Sequence, residues 1–479
     1  VQFSSLRAFQ QHNARDIIRS LQAGRRPLYV LPTGGGKSRT TAYVADRFAR
    51  AGTSSWITMH RRNLVKQFDR TLSACGIEHG VLAPGGTPSN RVDVVSIDYL
   101  RGKEITPAGL IALDEAHHSE EGNKWGEFLG SLPNGTLVMG ASATPIRTNG
   151  RPLKGFDEII LGPSPRQLIA WGYMLPAEVY CPPTPIEYAG LEIREGEYLR
   201  SQLQARIDLV KKILVGNAVE QYTKHCPGVP AIAFCLSRQD AEDVAASFRA
   251  AGYVSHFIHG GMPAAEQDRL LWAFEAGFID VLTSCDLISE GTDLPPAQCA
   301  IMLRPTESLA MHLQMLGRVV RPFLDQECAY VLDLVGNVGR FVEGRFLVKH
   351  GFPADDREWT LDGRVKSGRR VSNAAIYLCE NPACFAPYEA APACPYCGKL
   401  APVRQIETIR TIERVAGELL SAKAAELAER ERVADRNTRF IAARKGARTV
   451  PDLIRVGKEF GVNNPMAWAE TVMRARKRW

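Results

Sequence analysis

The sequence predicts an α/β protein with two parallel-sheet units in tandem, then a small cysteine module and a helical C-terminal region. Three observations carry this. Short apolar strands alternate with amphipathic helical stretches up to about residue 150, and the alternation resumes at residue 231. Four of the 11 cysteines cluster within 379–397. Beyond residue 403, apolar residues recur at helical spacing among many cations. Strand–helix alternation is the pattern of a parallel sheet covered by helices.

In the first unit the expected strands are Leu28–Leu31, Ser55–Met59, Val92–Ser96, Leu110–Leu113 and Leu137–Gly140. Pro/Gly-rich passages at Asn149–Pro165 and Pro182–Gly190 read as loops. Strands resume at Ala231–Leu236, Val254–Ile258, Asp280–Ser284, Ala300–Leu303 and Ala329–Leu332, with a helix expected over Gln239–Ala251. The expected division is a first unit over 1–180, a linker over 181–215 and a second unit over 216–350. A polar connector over 351–371, a cysteine module over 372–402 and a basic helical region over 403–479 complete it. In the last region Ile406, Ile409, Ile412, Val415, Leu419, Leu420 and Leu427 keep helical spacing. Pro451 and Asn464-Pro465 are expected to start two further helices.

A chain of 479 residues has ample material for several cores, and its composition is that of a water-soluble globular protein. No apolar run approaches the length of a membrane span. The start, Val1-Gln2-Phe3-Ser4-Ser5, lacks the pattern of a secretory signal. Seven cysteines are scattered singly, which suits reduced thiols in a prokaryotic cytosol or phage-infected cell. Residues 403–479 hold 17 Lys/Arg against 10 Asp/Glu, an excess equal to the chain's formal +7. A basic tail suits a phosphate-backbone partner; a solvated helical face is the competing reading.

The most specific stretch is Leu31-Pro32-Thr33-Gly34-Gly35-Gly36-Lys37-Ser38, between an apolar strand and a helix. Strand, glycine loop, Lys-Ser and helix make a phosphate-binding loop. Glycines let backbone N–H groups curl around phosphate oxygens, Lys37 reaches the outer phosphates, and Ser38 offers a hydroxyl to Mg²⁺. Leu31 stands where the strict motif has glycine. A Gly-rich turn before an ordinary helix is the alternative.

The buried run Leu110–Leu113 ends in Asp114-Glu115-Ala116-His117. Ligands of parallel sheets bind at the carboxyl ends of strands. There Asp114 would hold Mg²⁺ through water, Glu115 would deprotonate the attacking water, and His117 would couple the site to a neighbouring domain. In the second unit Gln314, Arg318 and Arg321 fall at i, i+4 and i+7, on one face of an expected helix. Two arginines so placed would clamp a γ-phosphate across a cleft.

With these motifs, the chain resembles the superfamily 2 helicases of the DEAH type over roughly residues 5–340. Leu6-Arg7-Ala8-Phe9-Gln10 resembles the adenine-reading Q motif, which implies Gln10, with Arg7 beside it, at the base. Ser142-Ala143-Thr144 is similar to the motif that links hydrolysis to nucleic-acid movement. Ser284 to Pro295, with Gly291 and Asp293, looks like motif V, and Gln314 to Arg321 like motif VI. The resemblance implies two RecA-like domains with Mg-ATP between them and nucleic acid lying across both. It implies backbone contacts at His60, Arg61 and Arg62, at Ser96, at His259 and at Ser284. Arg304-Pro305-Thr306-Glu307-Ser308, Leu332-Asp333 and Gly336-Asn337 are similar to RadD-like and XPB-like DNA helicases, of which similar proteins are common in phages.

Cys379, Cys384, Cys394 and Cys397 have the paired spacing of a structural Zn²⁺ site. Pro395 and Gly398 would let the second pair face one ion. A redox pair or buried thiols are the alternatives. The expected function is ATP-driven movement on DNA, with protein partners expected at the zinc module or C-terminal region. Its rivals are a nucleic-acid-binding ATP switch, the motor subunit of a nuclease system and an RNA helicase.

Overall fold

The computed structural model describes residues 6–362 apart from 60–61, 101–102, 104, 119–123, 147–151, 182, 286–296, 323–326 and 343–344, with parts of 366–400 and of 439–473 beyond. Two parallel sheets dominate it. The first comprises β1 (Pro27–Val30), β2 (Ser55–Met59), β3 (Gly80–Leu82), β4 (Val92–Ser96), β5 (Leu110–Asp114), β6 (Leu137–Ser142) and β7 (Glu158–Leu161). Their order is β3-β4-β2-β5-β6-β1-β7. Every pairing is parallel. The central strands are contiguous apolar runs because both faces are covered. Helices α1 (Ala8–Gln22), α2 (Lys37–Arg50) and α3 (Arg62–Ala74) pack around it.

The second sheet comprises β8 (Ala177–Tyr180), then, after the short hairpin of β9 (Ile193–Arg194) and β10 (Glu197–Tyr198), β11 (Ala231–Cys235), β12 (Ser255–Ile258), β13 (Val281–Ser284), β14 (Cys299–Leu303) and β15 (Ala329–Asp333). Its order is β12-β13-β11-β14-β15-β8, again all parallel. Helices α4 (Arg200–His225), α5 (Arg238–Ala250), α6 (Ala264–Glu275) and α7 (Leu309–Leu316) accompany it.

Within the two parallel sheets, three strands were not expected: β3, β7 and β8. β7 lies within the passage read as loop, and its Glu158–Leu161 pairs with β1. The first expected unit ends at residue 180, yet β8 at its end pairs with β15 of the second sheet. Helix α4 starts at Arg200, inside the segment expected as linker.

The segment after β15 folds back. A hairpin of β16 (Gly339–Val342) and β17 (Arg345–Val348) leads to 350–361. There Trp359 and Leu361 pack on the first unit's core, and Leu153 N–H donates to Leu361 C=O at 3.0 Å. The expected polar connector is therefore a strap between units. Among the described residues no helix is long and apolar enough to cross a membrane. Helix α8 (Val450–Phe460) begins beside Pro451 as expected. The apolar series 406–427 and Asn464-Pro465 lie outside the described residues.

Candidate active site

The phosphate loop closes β1 onto α2. Gly34 and Gly36 have φ of 88° and 92°, left-handed conformations that glycine adopts without steric cost. A side chain on Gly35 would meet Leu31 at 2.6 Å. Leu31 is fully buried under the loop, so it fills the space of the motif's usual glycine with core packing.

Gln10 holds the loop from α1. Its Nε2 donates to Gly35 C=O at 3.3 Å and Gly36 C=O at 3.1 Å, and its Oε1 accepts from Arg7 N–H at 2.9 Å. Arg7 also donates to Gly35 C=O, and its guanidinium lies 3.9 Å over the Tyr173 ring. Phe9 stacks on Trp171. Trp171 and Tyr173 were not singled out from sequence, because only tertiary packing brings them to α1.

Asp114 ends β5, and Glu115 follows at φ 50°, a strained setting for a residue with a side chain. That turn aims Glu115 back at the loop, with Lys37 Nζ 4.0 Å from its Oε1. Burial pushes Glu115 up, but Lys37, then His117, His118 and Arg318, outweigh it and hold the carboxyl below its ordinary value. Burial, then the Glu115 charge, pushes Asp114 up to about 7. A buried carboxylate penalised in this way, sharing a cleft with Ser38, suits a divalent cation. Burial, then His118, pushes His117 down to about 3, so it is neutral near pH 7.

His117 is the hub. Its Nε2 lies 3.3 Å from Gln314 Nε2, which donates to it. The proton then sits on Nδ1, 3.0 Å from Ser142 Oγ, which also accepts from Thr144 N–H at 3.1 Å. The DEAH turn, the Ser142-Ala143-Thr144 turn and the second unit thus meet at one imidazole.

Helix α7 carries Gln314 but ends at Leu316, with Gly317 as its cap. The expected single helical face is corrected here: Arg318 and Arg321 lie in the turns that follow. The reason is close approach. A side chain on Gly317 would meet Thr33 at 2.6 Å, and one on Gly34 would meet the Arg321 stem at 3.1 Å. Backbone thus packs on the phosphate loop, and both arginines still line its cleft. That cleft, about 250 Å³, is bounded by Thr33, Gly34, Gly36, Lys37, Ser38, Asp114, Glu115, Gln314, Arg318 and Arg321. Leu64, Gln67 and Phe68 of α3 also line it, which the sequence did not announce.

Other expected residues fall elsewhere. Ser96 ends β4 and Ser284 ends β13, and both are buried. His259 follows β12, accepts from Gly261 N–H and stacks on Phe257. Arg62 starts α3. His60, Arg61, Gly291 and Asp293 lie outside the described residues, as do Cys379 and Cys384. Near Cys397, Gly398 N–H donates to Cys394 C=O at 2.8 Å, and Cys394 N–H donates to Lys399 C=O at 2.7 Å. Among the described residues no group of potential metal ligands assembles.

Lys37, Asp114 and Glu115 of one unit and Gln314, Arg318 and Arg321 of the other thus line a single cleft between the units. The class is that of two-domain nucleoside-triphosphate motors. Residues 3–147 match the family model described as "Type III restriction enzyme, res subunit", and 207–322 match "Helicase conserved C-terminal domain". The chain belongs to the superfamily 2 helicases and is an ATP-hydrolysing, nucleic-acid-dependent enzyme.

A 51.5 kDa protein of Lactococcus phage (isolate 7-9) is 29% identical over 333 residues, 68% of each chain. UvrABC system protein B of Chlorobium chlorochromatii is 32% identical over 297 residues, 58% of this chain and 39% of that one. The solved structure of the ATP-dependent Type ISP restriction-modification enzyme LlaBIII bound to DNA shares the fold. Its TM-score is 0.50 at 14% identity, over 69% of this chain and 28% of the larger one.

Proposed function

We propose that the protein is an ATP-dependent DNA translocase or helicase. The observation that carries this is the Gln314–His117 contact, which joins the hydrolytic turn of one unit to the arginine segment of the other. ATP, when bound, supplies the phosphoanhydride that is cleaved, with Mg²⁺ neutralising its charge. Gly34, Gly35, Gly36 and Lys37 would hold the phosphates, with Ser38 and Asp114 on the metal side. Gln10 and Arg7 would face the base.

Glu115 accepts the proton of the attacking water, its own carboxyl kept ionised by Lys37. Arg318 and Arg321 stabilise charge on the outer phosphate. His117 passes any shift of Gln314 to Ser142 and Thr144. The strand ends at His60–Arg62, Ser96, His259 and Ser284 would line the nucleic-acid track. DNA is favoured by the RadD-like and XPB-like features, and the restriction enzyme sharing the fold was solved on DNA.

The test is steady-state ATP hydrolysis without nucleic acid and with single-stranded, duplex and forked DNA and RNA, with Lys37→Ala as the inactive control. Stimulation by a DNA form supports the reading; stimulation by RNA alone overturns the DNA assignment. A role in a repair, recombination or replication process is consistent with such a motor. A second reading, the motor subunit of a nuclease system, is favoured by the restriction-subunit match over residues 3–147. A nuclease captured on the full chain, together with no strand displacement by the chain alone, would select it.

The cysteine quartet would hold one structural Zn²⁺, a reading supported by the paired cysteine spacing in the sequence. The expected result is one zinc per chain by metal analysis, lost in Cys394→Ser. A purified, fully active sample without zinc would reject the site.

A further inference from the structure

We infer that Tyr173 is a positioning residue that holds Arg7 for the nucleotide base and ties base occupancy to the arginine segment of the second unit. The inference rests on the reading of the chain as an ATP-driven motor and deepens it at the base end of the cleft.

The sequence fixes this ring locally. The short helix Pro165–Ala170 is capped by Ser164, whose Oγ accepts from Gln167 N–H at 3.4 Å. It stops at Trp171-Gly172-Tyr173. Gly172 has φ 70°, the left-handed turn of a helix C-terminus. Tyr173 N–H therefore folds back to donate to Leu168 C=O at 2.8 Å, and Gly172 N–H donates to Ile169 C=O at 2.9 Å. Leu168 is fully buried, so the turn is anchored in the core.

Helix α1 meets this turn. The Arg7 guanidinium stands 3.9 Å from the centre of the Tyr173 ring, a cation–π distance. Phe9 lies 5.9 Å from Trp171 and 5.8 Å from Tyr173 and holds the two segments together. Gln10 commits its amide donors to Gly35 C=O and Gly36 C=O, and its oxygen to Arg7 N–H. Arg7 is only half-buried, so its second face remains for a base. A long side chain held on a ring beforehand loses less freedom when the base stacks on it.

Two residues later the chain crosses between units. Leu175 N–H donates to Val320 C=O at 2.9 Å, and β8 follows at Ala177 in the second sheet. Met174 and Leu175 are buried, and Met174 borders a cavity of about 210 Å³ with Thr33, Leu316, Gly317 and Val320. Val320 immediately precedes Arg321, whose stem packs over Gly34. A ring of contacts thus runs from Gly35 C=O through Arg7, Tyr173 and Leu175 to Val320, and returns through Arg321 to Gly34. A base stacked on Arg7 steadies Tyr173 and, through the Leu175–Val320 bond, the approach of Arg321. The coupling is reciprocal. A polyphosphate without a base still fills the loop but does not engage this ring.

The test compares wild type with Tyr173→Leu, which removes the ring, and Tyr173→Phe, which keeps it. KM and kcat for ATP are measured with the most stimulating nucleic acid, and inorganic tripolyphosphate serves as a competitor of ATP. Tyr173→Leu is expected to raise KM and to lower kcat, each by about 2–30-fold, the span of one cation–π contact. The inhibition constant of tripolyphosphate should stay within about 2-fold of wild type, because the loop itself is unchanged. Tyr173→Phe should restore both ATP parameters. Joined to Arg321→Lys, Tyr173→Leu should add little further loss of kcat, since steps of one linkage are not additive.

A tripolyphosphate inhibition constant that rises in step with KM would overturn the inference by showing that Tyr173 merely shapes the loop. Unchanged ATP parameters in Tyr173→Leu would overturn it as well. A raised KM with kcat unchanged, or full additivity with Arg321→Lys, would reject the tie to the arginine segment. Wild-type chain that hydrolyses no ATP with any nucleic acid would instead overturn the motor reading itself.

Discussion

Replacing Glu115 by Gln is expected to lower kcat for ATP hydrolysis by about 10²–10⁴ while ATP still binds. Glutamine keeps the size of the side chain and one acceptor oxygen, but it cannot take the proton of water. The position is poised for that task. Its backbone is held at φ 50°, which turns the carboxylate toward the phosphate loop rather than along β5. Lys37 at 4.0 Å, with His117, His118 and Arg318, holds its carboxyl below the ordinary value despite partial burial. Asp114, by contrast, is pushed up by burial and then by the Glu115 charge, the opposite direction from Glu115. The check is single-turnover hydrolysis alongside nucleotide affinity. Turnover within a few-fold of wild type would place the base elsewhere.

Arg318→Ala and Arg321→Ala are each expected to spare ATP affinity within a few-fold and to slow hydrolysis by about 10³–10⁵, the range for arginine fingers. Arg318 is nearly buried at 9% exposure, so its charge acts in a medium that screens it little. The Arg321 stem packs over Gly34, which fixes its approach to the loop. Lysine at either position keeps the charge but not the planar fork, and should recover only part of the rate. Parallel loss of affinity and rate would mean that the arginines serve binding alone.

How far these sites were legible follows from the physics of each element. The central strands could be read because a parallel strand buried on both faces must be a continuous apolar run. The unexpected strands of the two parallel sheets, β3, β7 and β8, all lie at sheet edges. An edge strand has one partner and a half-open face, so it needs no such run. β7 is only partly buried, and β8 alternates Ala177-Glu178-Val179-Tyr180. Local spacing likewise suggested one helical face for Gln314, Arg318 and Arg321. The close packing of Gly317 on Thr33 accompanies a helix end at Leu316 instead.

The sequence by itself determined the motifs: the pattern of a phosphate loop, adjacent carboxylates, a histidine and two arginines, in an order that marks a superfamily 2 helicase. Those motifs are local because each is a turn whose backbone must bend at named residues. Only the tertiary structure decided which groups meet. It set Gln314 against His117, Arg7 over Tyr173 and Leu31 beneath Gly35, and it returned Trp359 and Leu361 to the first unit. Contacts between residues far apart in sequence leave no periodic trace in the chain, and they depend on shapes that exist only after both sheets have packed.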